Sequence, residues 1–245
     1  MGVWGPPLEG VVTLLSSFYK GKTVFVTGHT GFKGAWMCLF LLAMGARVVG
    51  YALPPHEGSL FQLLHLNESM ESVLGDIGDE EYLHQALLEA DPDIVFHLAA
   101  QPLVSDSYRD PKATFITNIM GTVNVFEACK QLASIGAIVN VTTDKCYQNN
   151  DDQVQFVETD PLGGHDAYSA SKACSEHVTY SYAQTVFNTK RVGVATARAG
   201  NVIGGGDFAV DRILPDIVKA LKVESSIVLR CPSAIRPWQH VFDVE

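Results

Sequence analysis

Residues 27–34 read Thr-Gly-His-Thr-Gly-Phe-Lys-Gly, and they stand between a short β-rich run, Thr23–Thr27 (TVFVT), and an apolar stretch at 35–44. Gly28, Gly31 and Gly34 let the backbone turn sharply at the end of a strand and enter a helix at once. A strand, a tight turn and an apolar helix in that order predict the opening of a βαβ unit. The next strand must then lie parallel to the first, because the helix carries the chain back across the sheet.

The rest of the chain keeps this alternation. Arg47–Ala52 (RVVGYA) is a second strand, and Pro54-Pro55 with Gly58 breaks the chain before Ser59 caps a short helix to Leu66. Glu71–Leu74 is a weak third strand leading to Asp76, and Asp79 begins a helix to about residue 90. Residues 94–98 (IVFHL) form a fourth strand. Pro111 opens a long helix to about residue 132, and residues 137–142 (AIVNVT) form a fifth strand. A second long helix spans 167–187 and a strand spans 191–198; the helix Ile213–Lys222 and a strand at 227–230 follow. Nearly continuous apolar strands between helical segments predict an α/β fold, a doubly wound parallel sheet covered on both faces. In such a sheet ligands bind beyond the carboxyl ends of the strands, where the turns collect.

Composition narrows the function. With 245 residues, 47% of them hydrophobic, the chain can bury one large core. A formal net charge of −10 argues against nucleic acid as a partner. Five cysteines (Cys38, Cys129, Cys146, Cys174 and Cys231) are widely spaced without a C-x-x-C, which predicts reduced thiols. Eight histidines show no paired metal spacing, so no metal is expected. The apolar run 34–46 covers about two thirds of the ~20 residues a membrane span needs. The N-terminus lacks the basic start of a secretory signal, and Pro6 spoils a myristoylation pattern. These features predict a cytoplasmic protein, with no membrane partner and a weakly ordered N-terminal tail at 1–21.

Several positions carry chemistry. The turn at 28–34 lets the backbone approach a pyrophosphate, whose charge a helix N-terminus favours. The acidic residue that usually ends the second strand and holds the adenosine ribose is replaced by Gly50-Tyr51-Ala52-Leu53, with no Arg to welcome a 2′-phosphate. Local chemistry therefore leaves NAD against NADP open. Asp76, in Gly75-Asp76-Ile77, reads either as a carboxylate near the adenine amino group or as a loop cap. His97-Leu98-Ala99-Ala100-Gln101 ends the fourth strand in small residues, and Asn118 reads as a bridge between backbone groups. Tyr168 and Lys172, four apart on a helix, share a face. The ammonium is expected to favour the phenolate and lower the tyrosine towards the range of a general base.

In these motifs the chain resembles the extended short-chain dehydrogenase/reductase superfamily from about Lys22 to Val241. Within it, Thr143-Asp144-Lys145-Cys146-Tyr147 resembles the site strand of the nucleotide-sugar 4,6-dehydratases, most of which place Glu after the Asp. The Lys, with GHTGFKG at 28–34, AAQPLV at 99–104, RAGNVIGGGD at 198–207 and RPWQHV at 236–241, resembles the CDP-glucose branch. The resemblance implies a cofactor site of Gly28, His29, Thr30, Gly31, Phe32, Lys33, Gly34, Asp76, Ile77, Leu98, Ala99, Ala100, Thr142, Tyr168 and Lys172, binding NAD. It implies Tyr168 as the base at the sugar C4 hydroxyl, with Thr143 sharing that hydrogen bond. Protonated Asp144 would help the C6 hydroxyl leave, and Lys145 would be the C5 base. That last role needs a neutral amine, made so by burial or by a cation such as Lys172; the other reading of Asp144 and Lys145 is a solvated ion pair.

The implied substrate is a nucleoside-diphosphate glucose, CDP-glucose in this branch, with Thr143 at the sugar and Asn201, Arg212 and Arg236 at the diphosphate. Arg212 reads equally as a surface residue at a helix start, and Arg198 as packing. The implied organisation is a tail (1–21), an NAD-binding domain (22–198) and the start of a sugar-nucleotide region (199–245) that stops short of the family's full lobe. Assembly as a homodimer follows from the same resemblance. Ser105 and Phe208 depart from the branch, which usually has Arg and Trp there. An epimerase would share Tyr168 and Lys172 without using Asp144 and Lys145, and a non-catalytic dinucleotide-binding relative is the third reading.

Overall fold

A computed structural model of the protein describes residues 7–149, 155–229 and 232–243. The chain opens with α1 (Pro7–Tyr19), β1 (Thr23–Thr27), α2 (Phe32–Ala43) and β2 (Arg47–Ala52). It continues through α3 (Leu60–Leu63), β3 (Glu71–Leu74), α4 (Glu80–Ala90), β4 (Ile94–His97) and α5 (Val104–Arg109). Next come α6 (Pro111–Phe115), a wide π turn (Ile116–Met120), α7 (Gly121–Lys130), β5 (Ala137–Val141) and a 3₁₀ turn (Asp144–Cys146). Then follow α8 (Ala167–Tyr182), a second π turn (Ala183–Phe187), α9 (Asn188–Lys190), β6 (Gly193–Ala197), β7 (Asn201–Ile203), α10 (Ile213–Lys222) and β8 (Trp238–His240).

The first six strands form one parallel sheet in the order β3-β2-β1-β4-β5-β6. The order reverses between β1 and β4, the first and fourth strands, so the binding crevice lies where these two diverge. Side chains alternate across the sheet as a strand's period requires. Val24 and Val26 pack with Ala35, Cys38 and Leu41 of α2 on one face. Phe25 and Val95 meet Leu83, Leu87, Val125 and Phe126 on the other. Each such fully buried side chain stabilises the fold by about 2 kcal/mol.

Two expectations are corrected. The N-terminal tail is in part a helix: Pro7 takes the first position of α1, where its missing N–H costs nothing, and Tyr19 packs edge-on to Phe40 at 6.3 Å. Gly10 and two serines dilute the apolar pattern that would have announced it. The strand at 227–230 does not form over residues 227–229, where Val228 is 84% exposed; Arg230 and Cys231 lie outside the described residues. An apolar run becomes a strand only beside a partner, and β7 takes β8 instead, pairing Asn201 with Trp238. The other four cysteines are free. No helix of the described residues is long and apolar enough to cross a membrane.

A chain of buried polar groups ties β1 to α8. Thr27 Oγ1 accepts from the N–H groups of Leu98 and Ala99 at 3.1 Å, so its own proton points to His97 Nδ1 at 2.8 Å. His97 Nε2 then donates to Thr122 Oγ1 at 3.2 Å, and Thr122 donates to the Asn118 carbonyl at 2.8 Å. Ser175 of α8 bonds Thr122 at 2.9 Å and accepts from Asn140 at 2.9 Å. The network thus assigns one tautomer to His97.

Burial, aided by the Lys172 charge, holds His97 down to about 3, and burial holds His29 down to about 4. Both are neutral in the folded protein, whereas an unfolded histidine takes a proton below about pH 6.5. Stability is therefore full above about pH 6.5. It falls as pH drops from there towards about 4 for His29 and about 3 for His97. Between pH 7 and pH 5 the two together are expected to remove on the order of 3 kcal/mol. Urea unfolding at the two pH values checks this, and equal midpoints would contradict it.

Candidate active site

The glycine turn is built by close approach. Gly28 has φ +78°, and a Cβ there would stand 2.8 Å from Ala99 N. A Cβ on Gly34 would overlap the Gly28 carbonyl, so this glycine lets α2 start against the turn. Gly31, the N-cap of α2, is different: its missing Cβ would meet the Gly28 oxygen at 3.3 Å and nothing else nearby.

The side chains of this turn divide between packing and site. His29 is turned inward, bonded to Ser72 Oγ at 2.7 Å and edge-on to Phe61 at 5.1 Å, in the space that Gly50 leaves. Thr30 donates to the Leu53 carbonyl at 2.9 Å, and Phe32 packs against Ala199, Val202 and Val241. Lys33 lines a cavity of about 210 Å³ with Leu98, Val141, Ala199 and Gln239. Ala99 and Ala100, just beyond, are half-buried. Asp76 is exposed and accepts from Gly78 N at 2.8 Å, the loop-cap geometry, while Ile77 is buried with its carbonyl bonded to Asn124 at 2.8 Å. Asn118 bridges as expected: it accepts from Gln101 N at 2.8 Å and donates to the Gln101 carbonyl at 3.1 Å and to Ser171 Oγ at 2.9 Å.

Asp166 caps α8 by accepting from Ser169 N at 2.9 Å, and the helix then presents Tyr168, Lys172 and Glu176 on one face. Thr143, just beyond β5, shares a hydrogen bond with the Tyr168 phenol and donates to Asp144 Oδ1 at 3.1 Å. Lys145 Nζ lies 6.0 Å from the centre of the Tyr168 ring. Arg212 acts on the phenol electrostatically and pairs with Asp207 at 2.9 Å, at the N-terminus of α10. Thr143, Asp144, Lys145 and Arg212 are therefore gathered around Tyr168.

The expected effect of Lys172 on Tyr168 is not what the structure shows. Lys172 is buried and donates to the Val141 carbonyl at 3.1 Å, one helical turn deeper than the phenol. Burial, then the nearby Lys33 charge, lowers the amine to about 8. Burial pushes the Tyr168 phenol up to about 12, against the pull of Thr143 and Arg212. Of the two conditions named for Lys145 as C5 base, burial or a nearby cation, burial is not met: Lys145 is exposed. The 3₁₀ turn explains this, since successive residues point about 120° apart and Cys146 takes the inward position. No ion pair joins Asp144 to Lys145 among the described residues.

Asn201 and Arg236 sit at the small β7–β8 sheet, where Asn201 N donates to the Pro237 carbonyl at 2.9 Å. Arg236 is exposed, its guanidinium bonded to the Ile235 carbonyl at 2.9 Å. Sequence reasoning passed over Glu176, which is 5% exposed and bonds Arg198 through both oxygens. Its place four residues after Lys172 was the available signal.

The sequence matches the GDP-mannose 4,6 dehydratase family over residues 25–245. It is 50% identical over 233 residues to a CDP-glucose 4,6-dehydratase of Salmonella typhimurium, covering 93% of this chain and 65% of that protein. It is 31% identical over 231 residues to a dTDP-glucose 4,6-dehydratase of Xanthomonas campestris, covering 90% of this chain and 65% of that one. The chain thus spans about two thirds, 65%, of the length of these relatives. A dTDP-glucose 4,6-dehydratase of Streptomyces venezuelae solved with NAD bound superposes with a TM-score of 0.80 at 26% identity, covering 90% of this chain and 68% of that one. With its six-stranded parallel sheet, its glycine turn and its Tyr168 cluster, the chain belongs to the GDP-mannose 4,6 dehydratase family.

Proposed function

We propose that the protein is a hydro-lyase that removes water from CDP-glucose to give a 4-keto-6-deoxy sugar nucleotide, with NAD as its cofactor. The observation that carries this reading is the gathering of Thr143, Asp144 and Lys145 around Tyr168. CDP-glucose rather than another nucleotide sugar is supported by the 50% identity to a protein of that name. The glycine turn fits a dinucleotide: Gly28 and Gly34 close the backbone, and Gly31 leaves the helix N-terminus open. Gly28–Gly34, Leu98, Ala99, Ala100 and Lys172 would hold NAD, with Asp76 and Ile77 towards its adenine, while the Thr142 hydroxyl is buried and committed to Glu176. The chemistry NAD supplies is a hydride acceptor that is restored within each turnover.

The residues of this chain supply the proton transfers. Tyr168 takes the proton of the sugar C4 hydroxyl, and Thr143 holds that hydroxyl and the phenol in line. The phenol rests protonated, held at about 12 by burial, and Tyr168 acts as a base only as far as Thr143 and Arg212, which oppose that burial, favour the phenolate. Asp144 gives a proton to the departing C6 hydroxyl. Lys145, on the open side of the Tyr168 ring, takes the C5 proton. Asn201, Arg212 and Arg236 would hold the diphosphate, which a guanidinium grips through two parallel bonds. The same reading places the protein in the cytoplasm, where its free cysteines stay reduced. It also carries a homodimer, through exposed Ile116, Met120 and Tyr180 on the packed helices around α8.

Incubation with NAD and a panel of nucleoside-diphosphate glucoses tests the proposal by mass spectrometry. CDP-glucose is expected to lose one water; an unchanged mass with an inverted sugar centre would mean an epimerase, and no product at all would sink the enzyme reading. Tyr168→Phe should slow oxidation and water loss together by about 100-fold. Lys145→Met should still reduce bound NAD yet stall before water leaves, and parental product formation would remove Lys145 from its role. In calorimetric titration, Gly31→Val should bind NAD at least about tenfold more weakly with its melting temperature kept. Gly34→Ala, which meets backbone, should lower the melting temperature instead. Parental NAD affinity in Gly31→Val would refute the turn as the cofactor site.

A further inference from the structure

The turn bearing Thr143, Asp144 and Lys145 is held at both ends by one buried carboxylate. Glu176 Oε1 accepts from Thr142 Oγ1 at 2.5 Å, just before the turn, and from Cys146 Sγ at 3.9 Å, at its last residue. Arg198 grips the same carboxylate with Nε at 2.9 Å and Nη2 at 3.0 Å, and Thr196 of β6 adds a bond at 2.8 Å. Burial pushes the Glu176 carboxyl up, but the Arg198 fork and the two threonine hydroxyls outweigh it, and it stays ionised below its usual range. Arg198 also lies over the Tyr147 ring at 4.7 Å and donates to the Glu158 carbonyl at 3.2 Å. The next residue, Ala199, accepts from Asp144 N at 3.0 Å.

A buried ion pair is weak evidence for stability alone, since apolar side chains of similar size often serve as well. What an apolar pair could not do is bond both ends of a polar turn. Glu176 also stands on the same helical face as Tyr168 and Lys172, so it fixes the turn relative to the phenol.

We propose that Glu176, with Arg198 as its counter-ion, is a positioning residue that sets the Thr143–Asp144–Lys145 turn against Tyr168, and that water loss depends on it. This rests on the dehydratase reading above. The Glu176 charge also bears on Lys172, which is faced by Lys33 from α2, His97 from β4 and Cys146 from the turn.

Three variants of the protein test it with NAD and CDP-glucose. Glu176→Gln keeps the shape and removes the charge, Thr142→Val cuts the tie to the turn, and Thr196→Val cuts a tie to β6 only. The first two are expected to lower kcat about tenfold or more, as misplaced reacting groups do, with KM within about twofold. Thr196→Val should keep kcat within about twofold and lower only the melting temperature. Carbon-13 NMR of labelled lysines should show Lys172 losing its proton at lower pH in Glu176→Gln, below about 8, and unmoved in Thr142→Val. Parental kcat in a folded Glu176→Gln, or equal kcat losses in Thr142→Val and Thr196→Val, would overturn the proposal. If Glu176→Gln does not fold, the two threonine variants decide it. Should the parent protein not dehydrate CDP-glucose, the functional reading fails, and amide exchange at Asp144 decides this proposal: faster in Thr142→Val than in Thr196→Val supports it, and equal overturns it.

Discussion

The hydroxyl of Thr27 is the point from which the site hangs. It stands where β1 ends, accepts the first two amide protons beyond β4, and passes its own proton to His97. The two strands must diverge here for a crevice to open, yet their exits must keep a fixed spacing for a ligand to find both. A side chain bonded across the gap meets both demands. Thr122 and Ser175 carry the same constraint to α8, so the glycine turn and the Tyr168 helix are parts of one rigid frame.

Inside that frame the charges are arranged in layers. Lys172 lies deep and Lys33 half-buried near it, and burial with the Lys33 charge lowers the deeper amine to about 8. Tyr168 lies nearer the surface, with Arg212 at hand and Lys145 over its ring. Glu176 is the deep negative counterpart, matched by Arg198. Net acidity of the whole chain therefore says little about the site, where Arg212 and Lys145 stand beside Asp144 and Asp166 around the phenol.

Much of this was legible in the sequence, and the parts that were not had physical reasons. β3 was read to its exact ends and the long helices to within a few residues, because apolar period and turn residues agree there. Asn118 was read as a bridge, since a polar residue on a buried helix face has few other uses. The β7–β8 pair was missed because three-residue strands carry no period to read; their sequence spoke only as family motifs. Whether Lys145 is buried or solvated stayed open in the sequence, because the residue letters do not say which way a 3₁₀ turn faces. Glu176 was passed over because a lone glutamate on a helix reads as solvated surface until its partners, twenty and more residues away, are brought beside it.

The π turn between α6 and α7 adds one residue to a helix that would otherwise run straight through. Each residue of a helix advances the next side chain by about 100° around the axis, so the extra one decides which face Thr122 and Val125 present. Without it, Thr114 before the turn and Thr122 after it would be rotated by about 100° relative to one another, and one of them would lose its buried partner. The helix thus carries a phase offset, and two chains of this kind that differ by a single deletion there would share every motif and every propensity while having incompatible interiors. Length at this turn, more than residue identity, sets how the interior fits together.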